Sequence, residues 1–342
     1  MKPLVSILIP AYNAGNWIAE TLRSAVAQTW PEKEIIVVDD GSSDATASVA
    51  REFEPLGVRV IRKQNEGAAT TRNFAFHLSK GDYIQWLDAD DLLSPDKITL
   101  QMEAAAAIGD SRALLSSGWS SFFYRHSRAR FTPTALWADL TPAEWLLRKL
   151  ALNLHMQTAT WLVSRELTEA AGAWNTQLLG DDDGEYFCRV LLASTGVRFV
   201  RNARVYYRAS GAGSLSYIGT SDRKRDAQWH SMKLHIQYLR SLEDTPRTRA
   251  ACVTYMQNWL ISFYPERADL MEQMQVYAHE LDGALEIPRF PWKYEWIAAL
   301  FGVHAARRAQ ILLPQWKWSA LRSSDMVLHR LGVGTSTALR LG

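Results

Sequence analysis

The sequence predicts an α/β protein: a mostly parallel sheet with helices on both faces, followed by a C-terminal helical extension. Three observations carry this. Short apolar runs alternate with stretches at helical spacing between residues 4 and 87. Polar and acidic residues gather where the apolar runs end. From Thr220 onward only helical periodicity continues.

Each element has its own signal. Leu4–Ile9 is an apolar run broken by one serine, a central parallel strand by its composition. Pro10-Ala-Tyr-Asn13 turns into a helix over residues 16–28, with Ile18, Leu22, Ala25 and Val26 on one face. Pro31 stops it. Glu34–Val38 is the second strand, ending in Asp39-Asp40-Gly41-Ser42; Ser43 or Asp44 can cap a helix to Phe53. Val58–Ile61 is the third strand. Asn65-Glu-Gly67 turns into a helix carrying Arg72 and Asn73. Tyr83–Leu87 is the fourth strand, and Asp88, Asp90 and Asp91 follow it.

In an open α/β sheet, ligands bind beyond the carboxyl ends of the strands. Three carboxylates crowded at such an end repel one another unless a positive charge shares the site. A hard divalent cation, with positions left for water and phosphate, fits that requirement. The alternative is a polar turn whose Asp caps the next helix, begun by Ser94-Pro-Asp96.

Further on, 113–117 and Thr158–Val163 read as strands and Thr141–Leu150 as a helix. Trp119, Phe122, Trp161 and Trp174 suit either sugar stacking or, more often for large aromatics, a core. Helices are expected around Trp229–Leu239, over Thr248–Phe263 and over Ala268–Leu281. His77 and His155, in apolar surroundings, are expected in a core or interface. Glu185 and Arg189, four apart on a helix, fit a surface ion pair as well as a function.

The 342 residues are 47% apolar and 22% charged, which is a globular composition. A net charge of +2 does not point to nucleic acid as the partner. Cys188 and Cys252 stand far apart, in no metal-ligand pattern, which suits a reducing cytoplasm. No signal peptide is expected, and no apolar run is long enough to span a bilayer. Residues 303–342 hold six Lys or Arg against one acid, Asp325, interleaved with Trp316, Trp318 and Ile311-Leu-Leu313. Such a segment suits an interfacial helix on an anionic membrane, or a helix packed on the rest of the chain or on a second copy of it.

Several of these stretches resemble one family. Val5-Ser-Ile-Leu-Ile-Pro-Ala-Tyr-Asn13, Ile36-Val-Val-Asp-Asp-Gly-Ser-Ser-Asp44, Asn65-Glu-Gly67 with Arg72-Asn73, and Leu87-Asp-Ala-Asp-Asp91 resemble, in order, the motifs of the family 2 glycosyltransferases, which have the GT-A fold. Gly180-Asp-Asp-Asp-Gly-Glu185 with Arg189 resembles the family's acidic motif, and Tyr207-Arg208 with Ser214-Leu-Ser216 the segment after it.

The resemblance implies an inverting transferase that moves a sugar from a nucleotide-sugar donor, a UDP-sugar foremost, to an acceptor hydroxyl on a glycan or lipid-linked acceptor. Cell-surface polysaccharide or glycolipid synthesis is the expected setting, in the cytoplasm or at the inner face of the membrane. It implies that residues 1–115 bind the donor, 116–219 the acceptor, and that 220–342 are added. Pro10, Ala11, Tyr12 and Asn13 would line the base and ribose pocket, and Asp40 would accept from the base. Gly67 and Ala89 belong to the same donor set, with Arg72 near the donor and Asp88 near the ribose. Asp90, with Asp91 beside it, would hold Mn²⁺ or Mg²⁺ on the diphosphate. Asp183 matches the second acid of the family's Glu-Asp pair and Asp182 the first. That Glu-to-Asp departure, with Gly184 in place of a frequent aromatic, leaves the base open among Asp181, Asp182 and Asp183. A sugar-nucleotide pyrophosphorylase would want a Gly-rich phosphate loop where Pro10-Ala-Tyr-Asn13 stands. A dehydrogenase would want Gly-x-Gly-x-x-Gly there. A scaffold without turnover is the non-enzymatic alternative.

Overall fold

The computed structural model describes residues 2–209 and 221–333; Ser214-Leu-Ser216 and the 219/220 boundary lie outside them. The amino-terminal part alternates as expected: β1 (Val5–Ala11), α1 (Ile18–Val26), β2 (Lys33–Asp39), α2 (Thr46–Arg51), β3 (Val58–Arg62), α3 (Ala68–Leu78) and β4 (Tyr83–Trp86). Then come β5 (Leu92–Leu93), α4 (Lys97–Ile108), β6 (Ala113–Phe122), α5 (Pro142–Ala151), β7 (Val163–Ser164), α6 (Arg165–Ala171), α7 (Asp182–Ala193) and β8 (Gly196–Arg208). The helices α8 (Asp222–Leu242), α9 (Pro246–Leu260), α10 (Ala268–Glu280), α11 (Trp292–Phe301) and α12 (Val303–Arg330) follow among the described residues.

The main sheet runs β3-β2-β1-β4-β7, parallel except for β7. Apolar residues on both faces of β1 and β2 are buried because helices cover both sides. The register sets Ala11 beside Asp39, and the Leu87 amide donates to the Leu8 carbonyl at 3.0 Å. The carboxyl ends of β2, β1 and β4 therefore share one rim, its outer strands about 10 Å apart. A smaller sheet, β5-β8-β6, lies beyond it.

Thr158–Val163 is not the strand its composition suggests. Thr158–Thr160 forms a 3-10 turn, Leu162 makes a single antiparallel bridge to Leu115, and Val163–Ser164 pairs antiparallel to β4. Side chains from other elements replace the ladder. Gln85 Nε2 donates to the Ala159 carbonyl, while Gln101 Nε2 and Ser117 Oγ donate to that of Thr160. Buried backbone groups need partners, and here they are polar side chains rather than a strand.

The largest apolar core runs without interruption from Leu8 and Ile36, through Trp86, Trp161, Trp174 and Tyr186, to Met232, Cys252 and Leu281. The α8–α10 helices thus complete the core of the α/β half. Trp161, Trp174 and Phe122 are buried, which removes them as sugar platforms; Trp119 alone of the four is only partly buried. His77 is exposed, against expectation, because it faces outward on α3. Both cysteines are buried as free thiols. Among the described residues no helix is long and apolar enough to cross a membrane.

Candidate active site

The rim is built by short-range chemistry first. Asn13 takes a left-handed conformation, φ 49°. That conformation lets its amide donate to Ser42 Oγ and its Oδ1 accept from the Ser43 amide, both at 2.9 Å. The Ala14 amide donates to Thr46 Oγ1, and that of Gly15 to Asp44. These bonds tie the loop after β1 to the loop after β2. They leave the Tyr12 ring 55% exposed on the rim, with Pro10 partly and Ala11 fully buried below it.

Asp40 has a different task from the one expected. Its carboxylate accepts from Lys63 Nζ at 2.5 Å, from the Glu66 amide at 3.0 Å and from the Gly67 amide at 2.9 Å. A carboxylate has about four acceptor positions, and these three donors take most of them. Burial works against the charge, but these donors hold the Asp40 carboxyl below its ordinary value. Asp40 therefore shapes the 65–67 turn instead of presenting an open oxygen to a base. Gly67, at φ 91°, completes that turn and starts α3.

Arg72, one turn into α3, joins the two halves of the site. Its guanidinium donates to Asp88 Oδ1 and to Asp182 Oδ2, each at 2.8 Å, and lies over the Trp174 ring at 4.5 Å. Burial disfavours its charge, but Asp88 and then Asp182 hold its pKa above the usual value.

The segment after β4 is pinned from β8. The Arg208 side chain, 1% exposed, donates to the Asp90 carbonyl, the Phe123 carbonyl and Glu20, and its amide donates to Asp91 Oδ1. Its guanidinium lies 4.5 Å from both the Trp17 and Phe122 rings. The Ala89 carbonyl is held by Thr21 Oγ1 at 2.9 Å. Asp88 and Asp90 stay partly accessible. Asp91, expected beside Asp90 as a ligand, is wholly buried because the Arg208 amide draws it inward.

Three acids open α7. Asp181, at φ 54°, precedes the helix and turns away from the rim. Its Oδ2 accepts from Ser231 Oγ at 2.5 Å and lies 3.8 Å from His235 Nε2, both on α8. Gly184 makes this possible: a Cβ there would overlap the Asp181 carboxylate. We expect Gly184→Ala to break the Asp181–Ser231 contact, seen as a lower melting temperature and a loss of any transfer activity. Asp182 is engaged by Arg72. Asp183 carries the lightest load, a 3.3 Å bond from Thr158 Oγ1. Loss of water pushes up the pKa of all three. For Asp182 it is the main cause and outweighs Arg72, raising the carboxyl to about 6.

Glu185 and Arg189 do pair, at 2.7 Å, but below the surface. Glu185 is buried and also accepts from Tyr238 on α8, while Arg189 reaches the Ala171 and Ala173 carbonyls. The positioning residues Ser231, His235 and Tyr238 carry no local signal of such a role, and for Arg208 the motif Tyr207-Arg208 does not say which groups it would hold. Each works across 50 residues or more, so only folding reveals it.

Cation fit can be judged from these acids. Asp91 Oδ2 is buried without a hydrogen-bond partner. Burial, then the charges of Asp90 and Asp88, push its pKa well up. The cluster is short of positive charge, as a cation site would be. Among the described residues no three His, Cys, Asp or Glu side chains form a cage. A metal here would rest on one or two carboxylates, with phosphate and water as its other ligands.

Residues 6–166 match the model of Glycosyl transferase family 2. An uncharacterized glycosyltransferase of Rickettsia felis is 26% identical over 91% of this chain and 52% of its own length. The teichuronic acid biosynthesis glycosyltransferase TuaG of Bacillus subtilis, itself assigned only putatively, is 40% identical over 30% of this chain and 42% of its own. The chain thus spans about half, or less, of these curated relatives. Among solved structures, S. aureus TarS 1–349 in complex with UDP superimposes with a TM-score of 0.56 at 18% identity, covering 87% of this chain and 79% of that one. The mannosyltransferase PcManGT of Pyrobaculum calidifontis, in complex with GDP-Man and Mn²⁺, gives 0.50 at 18%, covering 94% and 85%. The parallel sheet with its acidic rim and the second small sheet give a GT-A fold, and residues 6–166, just under half of the chain, match glycosyl transferase family 2.

Proposed function

We propose that the protein is an inverting glycosyltransferase that uses a nucleotide-sugar donor, a UDP-sugar foremost, in building a polysaccharide or glycolipid. The observation that carries this is the Arg72 bridge. It brings the acid motif after β4 against the acid motif that opens α7, across 110 residues of sequence between Arg72 and Asp182. Donor-side and acceptor-side carboxylates then face one space. The names of TuaG and of a chondroitin synthase of Escherichia coli, 41% identical over 30% of this chain, support polysaccharide assembly as the setting.

The donor base lies against Tyr12 and the 65–67 turn that Asp40 organises, above Pro10, Ala11 and Asn13. The ribose lies near Asp88 and Ala89. Asp90 is the ligand for Mn²⁺ or Mg²⁺, which as a Lewis acid would offset charge on the departing diphosphate. Asp183 takes the proton of the acceptor hydroxyl as its oxygen bonds to the anomeric carbon and the bond from that carbon to the diphosphate breaks. Asp182 and Asp181 are held by Arg72 and by α8, so Asp183 is the carboxylate left to move a proton. Trp119, beside His155 and Tyr207, offers the acceptor an aromatic wall.

The test is thermal stabilisation by UDP and UDP-GlcNAc, with and without Mn²⁺. At about a hundred times Kd, a ligand adds about 2.7 kcal/mol, a rise of several degrees. The expected result is stabilisation that Mn²⁺ enhances, with Asp90→Asn abolishing the Mn²⁺ increment. If no nucleoside diphosphate or nucleotide sugar shifts the melting temperature, the proposal is wrong.

A further inference from the structure

The two last helices carry a surface that the catalytic site does not use. Trp292, Trp296 and Leu300 recur every four residues along α11, and Trp292 is 83% exposed. On α12, Leu312, Leu313, Trp316, Ala320 and Val327 share one exposed face at 3.6 residues per turn, with Trp316 70% exposed.

Two anchors hold this hairpin on the body. Phe290, Tyr294 and Ala306 pack with Ile261 and Tyr264 at the end of α9. Asp325, the one acid of α12, pairs with Arg125 at 2.7 Å, accepts from the Tyr124 and Arg125 amides, and is turned inward. Trp318 stacks edge-on to Phe123 nearby. With its acid consumed in docking, α12 presents only cations outward. Arg308 and Lys317 flank the apolar stripe on opposite sides, and Arg330 lies near its end.

We propose that α11 and α12 seat the protein on an anionic lipid surface. Tryptophan and leucine on one face, bordered by Lys and Arg, match an acyl boundary beneath negative headgroups. The helices lie in the interface, since none is long and apolar enough to cross it. Charge decides between this occupant and a second copy of the chain. An isologous pairing of the α12 stripe would set its outward cations against each other, and the one exposed acid beside it, Glu295 on α11, is matched there by Lys293.

The experiment is co-sedimentation of the whole chain with vesicles of phosphatidylcholine alone or with about one third phosphatidylglycerol, alongside sedimentation velocity without lipid. Binding to the anionic vesicles should exceed that to neutral ones by tenfold or more and fall at high salt, by about fivefold for each cation engaged. Leu313→Gln with Trp316→Gln should abolish it. Arg308→Gln with Lys317→Gln should lower it roughly twentyfold. Neither pair should change the melting temperature or its shift with UDP, and the second keeps the test alive if the first misfolds. Equal binding to both vesicle types overturns the proposal, as does no binding. So does a wild-type dimer that the Leu313 and Trp316 substitutions dissolve.

Discussion

Asp183→Asn is expected to lower kcat for sugar transfer by about a thousandfold while leaving UDP stabilisation intact. The amide keeps the shape and the Thr158 contact but cannot accept the acceptor's proton. The same chemistry sets a pH dependence. Burial raises the Asp182 carboxyl to about 6 and moves Asp183 upward as well. A raised carboxyl is a base only above its pKa. Activity should therefore be full at pH 8 and fall on the acid side along a limb displaced upward from the ordinary carboxylate range, an apparent limb that belongs to the interacting pair. Asp182 and Asp183 titrate as a pair, so Asp182→Asn should shift the limb to lower pH. A profile unchanged by both substitutions assigns the proton to another group. Activity undiminished in Asp183→Asn would remove it as the base.

Arg72→Met is expected to cost about 3–5 kcal/mol of stability, the range for leaving buried charges without their partner. Asp88, which is partly accessible, and Asp182, which is largely buried, would then face each other without the guanidinium between them. Thermal unfolding should show a fall of several degrees. Adding Asp182→Asn to Arg72→Met should recover part of that loss, because one stranded charge is then gone. Equal losses in the single and double variants would mean that the stability resides in the Arg72–Trp174 stacking. Transfer should disappear in either case, since Asp88 and the start of α7 lose their common tether.

Much of this molecule was legible in its sequence because the signals were local. Apolar runs such as Ile7–Ile9 and Ile35–Val38 can only be buried strands when helical stretches separate them. Acids placed just after such runs must fall on one rim of a parallel sheet. Arg72 and the acids 181–183 were singled out by the resemblance of their motifs to those of the family. Thr158–Val163 was misread because the Ala159 and Thr160 carbonyls are satisfied by Gln85, Gln101 and Ser117, which arrive from elsewhere in the chain.

Sequence by itself thus determined the fold class, the order of elements and the set of acids that border the rim. Which acids stay available was decided by tertiary structure alone. Lys63 with the Glu66 and Gly67 amides occupies Asp40, Arg208 draws in Asp91, α8 claims Asp181 and Arg72 claims Asp182. The reason is physical: a carboxylate's charge, proton and reach depend on the donors that folding brings within about 3 Å. Most of those donors lie too far along the chain for any local pattern to announce them.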